Sequence, residues 1–185
     1  MRSILILICL ISFSACSGFQ PNTTLPDRSN LTYWSNEDEK INVVQQITGN
    51  WKGQHFLLQV YLTITLEKMD VIILDSLGRR GMTASWNNDG MTTWKAAWMP
   101  DYFNPQYMMW DIATAFWPKE LLEEDLDNIW QIKDTGNLRE VFYDGDKVSS
   151  VIYKNVEDSI WTSIVILQDH SFNYELNIKS REVSQ

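Results

Sequence analysis

The sequence predicts a mainly β protein, an antiparallel sheet carrying a helical insert. Three observations predict it. From Phe56 to Glu67 the chain alternates, with Phe56, Leu58, Val60, Leu62, Ile64 and Leu66 on one face and mostly polar residues on the other. That is the period of a strand with one buried side. Asn87-Asn88-Asp89-Gly90 separates two further strand-like runs, and these residue types tolerate the positive φ of a tight hairpin. Between the strand runs, Gln106 to Trp117 is apolar around most of a helix, so that helix must be covered on nearly all sides.

The chain begins with Arg2 and an apolar run from Ile4 to Phe13, ending on Ser14-Ala15-Cys16. The run has the length of a secretory h-region and is too short for a stable span. Residues 1–15 therefore read as a signal peptide. Ser14-Ala15-Cys16 resembles the bacterial lipobox, in which the cysteine sulfur receives a diacylglycerol. Phe13 stands where that pattern prefers Leu, and an ordinary cleaved signal with an incidental cysteine is the alternative. Residues 16–35 read as a lipidated tether, with Pro21, Pro26 and many Asn, Ser and Thr residues and no periodicity. Residues 36–185 form the domain.

Within it, Asn36-Glu37-Asp38-Glu39 reads as the start of a short helix toward Ile47, with Ile41, Val44 and Ile47 on one stripe and Thr48-Gly49-Asn50 as its stop. Strands follow at Phe56–Leu66, Val71–Leu74, Met82–Trp86 and Thr92–Trp98. Pro100 and Pro105 break the sheet, and Pro118 ends the apolar helix. Lys119–Leu126 reads as an acidic helix with Leu121, Leu122 and Leu126 inward. Strands return at Ile129–Ile132, Arg139–Tyr143, Val148–Tyr153, Ile160–Leu167 and Phe172–Ile178. Consecutive strands with short turns favour a meander, and the apolar helix belongs on its greasy face.

Composition excludes several functions. The formal net charge is -9, which repels a phosphate backbone, so nucleic acid is not a partner. Membrane residence must then come from the lipid on Cys16. The two cysteines are Cys9 and Cys16, so the mature chain has no disulfide framework. Nine tryptophans point either to a core rich in aromatic rings or to an apolar pocket.

No catalytic, metal or cofactor motif emerges, and the protein is expected not to be an enzyme. His55 and His170 are isolated in strand-like sequence, and no zinc set, nucleophile elbow or phosphate loop occurs. Glu120, Glu123, Glu124 and Asp125 read more simply as a solvated helix face than as a cation site.

The arrangement of residues 50–180 resembles the LolA/LolB type of periplasmic lipoprotein carrier. The segment that carries the resemblance is Val71-Ile72-Ile73-Leu74-Asp75-Ser76-Leu77-Gly78, a hydrophobic strand and a small loop ending in Leu-Gly. Gly53-Gln54, Leu77-Gly78-Arg79, Trp117-Pro118 and Arg139 are similar to the pattern of LolB-like lipoproteins encoded beside aryl-polyene biosynthesis genes. The resemblance implies a strongly curved, open antiparallel half-barrel covered by helices and enclosing a cavity for acyl or lipid-like chains. It also implies outer-membrane residence facing the periplasm, an apolar ligand and a periplasmic carrier protein as partner. Leu58, Val60, Leu62, Ile64, Trp94, Met108, Ile112 and Phe116 are then the residues expected to line the cavity. The alternative is an interaction lipoprotein whose core is filled by its own side chains. Leu77 would be the exposed loop residue that engages membrane, or else a side chain folded back under its turn.

One expected outcome follows from the leader. Cys16→Ser should accumulate as unprocessed precursor, read by its mass. Trimming to the same product, together with membrane fractionation, would remove the lipoprotein reading.

Overall fold

The computed structural model describes residue 31 and residues 40–100, 103–156 and 159–183. The signal peptide, Cys16 and all of the tether except Leu31 lie outside the described residues; Leu31 itself is buried against the core.

Ten strands form one antiparallel sheet: β1 (Ile41–Trp51), β2 (Gln54–Ile64), β3 (Met69–Asp75), β4 (Arg80–Asn87), β5 (Gly90–Lys95), β6 (Trp130–Asp134), β7 (Leu138–Tyr143), β8 (Asp146–Lys154), β9 (Ile164–Asp169) and β10 (Tyr174–Glu182). Helices α1 (Pro105–Phe116) and α2 (Lys119–Asp125) connect β5 to β6. The strand order is β5-β4-β3-β2-β1-β10-β9-β8-β7-β6. Two five-stranded meanders thus meet at the centre, where the first strand pairs with the last, from Val43 opposite Glu182 to Trp51 opposite Tyr174.

The helix expected from Asn36 toward Ile47 is replaced, over its described part, by β1. Ile41, Val43, Gln45 and Ile47 face inward, opposite Ile64, Leu62, Val60 and Leu58 of β2. Ile41, Val44 and Ile47 fit a helical stripe, but Ile41, Val43 and Ile47 fit alternation equally well. The β-branched residues and two strand neighbours decide for the sheet. Other element ends shift as well, β10 running on to Glu182. β5 stops at Lys95, and the run from Ile160 opens with a 3₁₀ turn, Ile160–Thr162, before β9.

The inner face forms rows across the strands. Val43, Leu62, Val71 and Ala84 make one row, and Ile41, Ile64, Met69 and Trp86 another. In the second meander Ile178, Val165 and Tyr153 align, as do Leu176, Leu167, Val151 and Arg139. Side chains from both halves reach α1: Trp86 of β4 stacks on Trp117 at 4.9 Å, while Tyr153 of β8 and Arg139 of β7 hydrogen-bond its C-terminal carbonyls. β4 and β7 stand seven places apart in the sheet, roughly 34 Å if it were flat. Both can touch one helix end only because the sheet curls around it. The covering is slighter than the resemblance implies: two short helices rest within an open sheet, and they do not roof it.

α1 starts at Asn104, whose side chain accepts from the Gln106 N–H at 2.9 Å, with Pro105 in the first turn. From Met109 to Phe116 every residue is buried. A helix end sunk in a core leaves orphan carbonyls. Arg139 Nη1 donates to Thr114 O at 2.9 Å and to Trp117 O at 2.7 Å, and Tyr153 Oη donates to Ala115 O at 2.9 Å. Arg139 is 5% exposed, and its charge is met by Asp134 Oδ2 at 2.8 and 2.9 Å. Burial pushes the Asp134 carboxyl up, but the Gly136 N–H and the Arg139 guanidinium outweigh this and hold it below its ordinary 3.8. Burial pushes the Tyr153 phenol up to about 12, so it stays a donor at neutral pH.

Two outcomes are expected. Ile112→Asp places an unpaired charge in the core and should cost at least about 3 kcal/mol in a denaturant titration; unchanged stability would mean that α1 does not cover the core. Because the Asp134 pKa is depressed on folding, its contribution is present above 3.8 and is lost as the pH falls through the lower folded value. Asp134→Asn should therefore lower the melting temperature at pH 7 and flatten its decline in acid. A variant with the wild-type acid profile would show that the pair does not set it.

Candidate functional site

On one side of α1, and at its C-terminal end, the space is filled by rings. Phe116 stacks on Trp161 at 4.5 Å, Trp110 packs on Trp130 at 4.8 Å, and Trp117 lies on Trp86. Along the side of α1 that bears Tyr107, Met108, Asp111, Ile112 and Phe116 the space is left open. A cavity of about 320 Å³ lies there, at the lower end of the roughly 300–1,000 Å³ of ligand pockets. Buried Val60, Ile73, Ile112, Phe116 and Ile178 make its floor, and half-buried Trp51, Phe56, Phe103, Tyr107 and Phe172 stand toward solvent.

Of the residues expected to line a cavity, Leu58, Val60, Met108, Ile112 and Phe116 do so. Leu62 and Ile64 share the same sheet face but lie further along β2 in closed core. Trp94 does not reach the cavity and is 51% exposed. Its register places it opposite Thr83, which pairs with Ile72 and through it with Tyr61. That row faces outward. The sequence of β5, with Met91 and Trp94 of opposite parity, does not reveal which parity faces inward.

The polar lining residues were not legible in the sequence. Gln45, 1% exposed, donates from Nε2 to Ser180 Oγ at 3.1 Å. Asp111, 8% exposed, accepts from Tyr174 Oη at 2.5 Å. The available signal for Asp111 is that it is the single charged residue of Pro105–Phe116.

Register places the cavity mouth. Trp51 closes β1 opposite Gln54 and Tyr174, and Leu58 pairs with Asp75 at the end of β3. The β1–β2, β3–β4 and β9–β10 turns therefore share one end of the sheet with the half-buried rings. Leu77 sits in the β3–β4 turn and is 78% exposed, so it is not folded back. The turn is tightly tied. Asp75 Oδ1 accepts from the Leu77 and Arg79 N–H groups, both at 2.9 Å, and Asp75 Oδ2 pairs with the Arg79 guanidinium at 2.7 Å. Gly78 takes φ +76°, where a side chain would strain the backbone. Burial acts to raise the Asp75 pKa, and the hydrogen bonds from Arg79 and Leu77 together hold it lowered. Arg79 also lies over the Trp98 ring at 4.6 Å, so it braces the turn.

Gly53 occupies the β1–β2 turn, Trp117-Pro118 closes α1, and Arg139 clamps its end. His170 Nε2 lies 3.1 Å from Ser150 Oγ, and neither lines the cavity. Among the described residues no group of His, Cys, Asp and Glu could hold a metal ion, and no helix is long and apolar enough to cross a membrane.

No curated protein matches the sequence. Among solved structures, the chain is similar to a Vibrio parahaemolyticus domain provisionally assigned as an outer membrane lipoprotein-sorting protein. The two share 9% identity with a TM-score of 0.41, over 78% of this chain and 86% of that one. Residues 42–182 match the family described as "Protein of unknown function (DUF3261)". The match takes in all but the first residue of the sheet and both helices, and the protein belongs to that family.

Proposed function

We propose that this protein is a lipid-anchored protein of the outer membrane, facing the periplasm, that shelters an apolar chain and passes it on at a membrane surface. The observation that carries the reading is the apolar cavity between α1 and the sheet, opening at the same end as Leu77. Acyl and aryl-polyene chains both suit such a lining, and a periplasmic carrier protein would be the donor or acceptor. Leu77 contributes only about 1.5–3 kcal/mol on insertion, so it cannot anchor the protein. It can seat the mouth against a bilayer once the lipid on Cys16 holds the protein there. An interaction protein with a self-filled core is the second reading, favoured by the rings packed against Trp110, Phe116 and Trp117.

The deciding measurement is a native mass spectrum of the soluble protein beginning at Ser17, which lacks the leader and Cys16. Co-purified apolar ligand is expected, and reconstitution with acyl chains should raise the mass in a saturable way. A spectrum of protein alone that no added chain alters would favour the self-filled core. Leu77→Glu should leave the melting temperature unchanged, since the side chain is exposed, and should weaken liposome partitioning at least tenfold. Unaltered partitioning would remove the membrane role of the turn.

A further inference from the structure

The cavity is not chemically uniform. Among the described residues, Asp111 is the single acidic side chain that lines it, and no Lys, Arg or His does so. The Asp111 carboxylate is fixed by Tyr174 Oη at 2.5 Å, and Tyr174 itself lines the cavity. One strand further, opposite Tyr174 on the inner face, stands Asp169, 1% exposed, which accepts from the Phe172 N–H at 2.7 Å. Two buried acidic side chains thus back the same end of the cavity, while the rest of the wall is almost wholly apolar.

Resting on the carrier reading above, we propose that the Asp111 end of the cavity is an acceptor site. It selects apolar chains whose polar terminus is neutral or cationic and donates a hydrogen bond, and it rejects free carboxylates. A carboxylate terminus brought here would lose its water beside Asp111 with no cation among the described lining residues to pair it, which is the costly arrangement for a buried charge. A hydroxyl, amide N–H or ammonium instead donates to an oxygen already oriented by the fold, and a site built to accept a hydrogen bond discriminates against a terminus that cannot give one. The chains favoured are alcohols, amides and amines, as in N-acylated or amine-headed lipids. Free fatty acids are disfavoured.

The test is displacement of N-phenylnaphthylamine from the purified soluble protein beginning at Ser17 by dodecanol, dodecylamine, dodecanoate and the methyl ether of dodecanol, all below their micellar concentrations. Dodecanol and dodecylamine are expected to displace the probe at least about tenfold more tightly than dodecanoate, and dodecanol more tightly than its ether. In Asp111→Asn the Tyr174 bond is kept, because the amide oxygen still accepts, and the amine-to-carboxylate ratio should fall to within about twofold. The alcohol-to-ether comparison needs no variant, so the inference stays testable if Asp111→Asn does not fold. Equal binding of all four compounds, tightest binding of dodecanoate, or an unchanged ratio in a folded Asp111→Asn protein would overturn the inference and leave the carrier reading standing. Binding of neither the probe nor any chain would overturn the carrier reading itself.

Discussion

Everything inside this protein depends on a helix end held by two side chains from the far half of the sheet. α1 is buried all round over its last two turns, so its final carbonyls have no water to turn to. Arg139 and Tyr153 supply the missing donors to Thr114, Ala115 and Trp117. A buried guanidinium is itself expensive, and the arrangement stands because Asp134 pairs with it and the helix takes its remaining N–H groups. Removing one partner of such a pair typically costs about 3–5 kcal/mol, since the other is left buried and charged. The clamp fixes how deep α1 sits. It thereby fixes which half of the concave face is filled and which is left open.

The topology explains why that clamp must be long-range. β1 and β10 meet at the sheet centre, so the two edge strands, β5 and β6, come from the middle of the chain and flank the helical insert. The insert runs from one edge to the other across the concave side. Its anchors lie on strands made after it, β7 and β8, so α1 cannot be locked until the second meander forms. The last strand then closes the structure against the first. Pairing of that kind brings the two ends of the domain together and ranks among the slower steps of folding.

How much of this was legible varied with the physics of each element. β2 and β10 announce themselves because each has one wet and one dry face, and alternation records that directly. The β4–β5 hairpin is written in Asn87 to Gly90, where Asn87 Oδ1 accepts from the Asp89 N–H at 3.0 Å. The apolar circumference of α1 predicted its burial. β1 was missed because its inward row contains Gln45 and Gly49, which blur the alternation, while Ile41, Val44 and Ile47 imitate a helix. Its strand character comes from neighbours on both sides, which no local window contains. Arg139 was marked by resemblance alone. Its role depends on carbonyls 22 and 25 residues away, and nothing in its own surroundings encodes that. Asp111 was passed over because a carboxylate on an apolar helix looks like a solvated exception until the sheet is known to wrap it.

The distribution of rings accounts for the position of the cavity. On one side of α1 and at its C-terminal end, tryptophans at 86, 117 and 161 bring enough volume to close the space, with Trp110 and Trp130 beside them. On the other side the helix presents Tyr107, Met108 and Ile112, and the sheet opposes them with Leu58, Val60 and Ile47, side chains too short to span the gap. Gly49 acts in the same direction: the Phe56 ring lies where a side chain on residue 49 would begin, with a Cβ there only 2.1 Å from it. Phe56 is thus drawn down onto β1 and meets Phe103 edge-on at 5.3 Å, which leaves the middle of the concave face vacant beneath them. Small residues placed under large ones at the rim, and large ones crowded at the base, give a pocket with a closed floor and an aromatic mouth. The empty volume is therefore a consequence of where the sequence places bulk, and among the described residues the one acidic side chain it admits to that volume is Asp111.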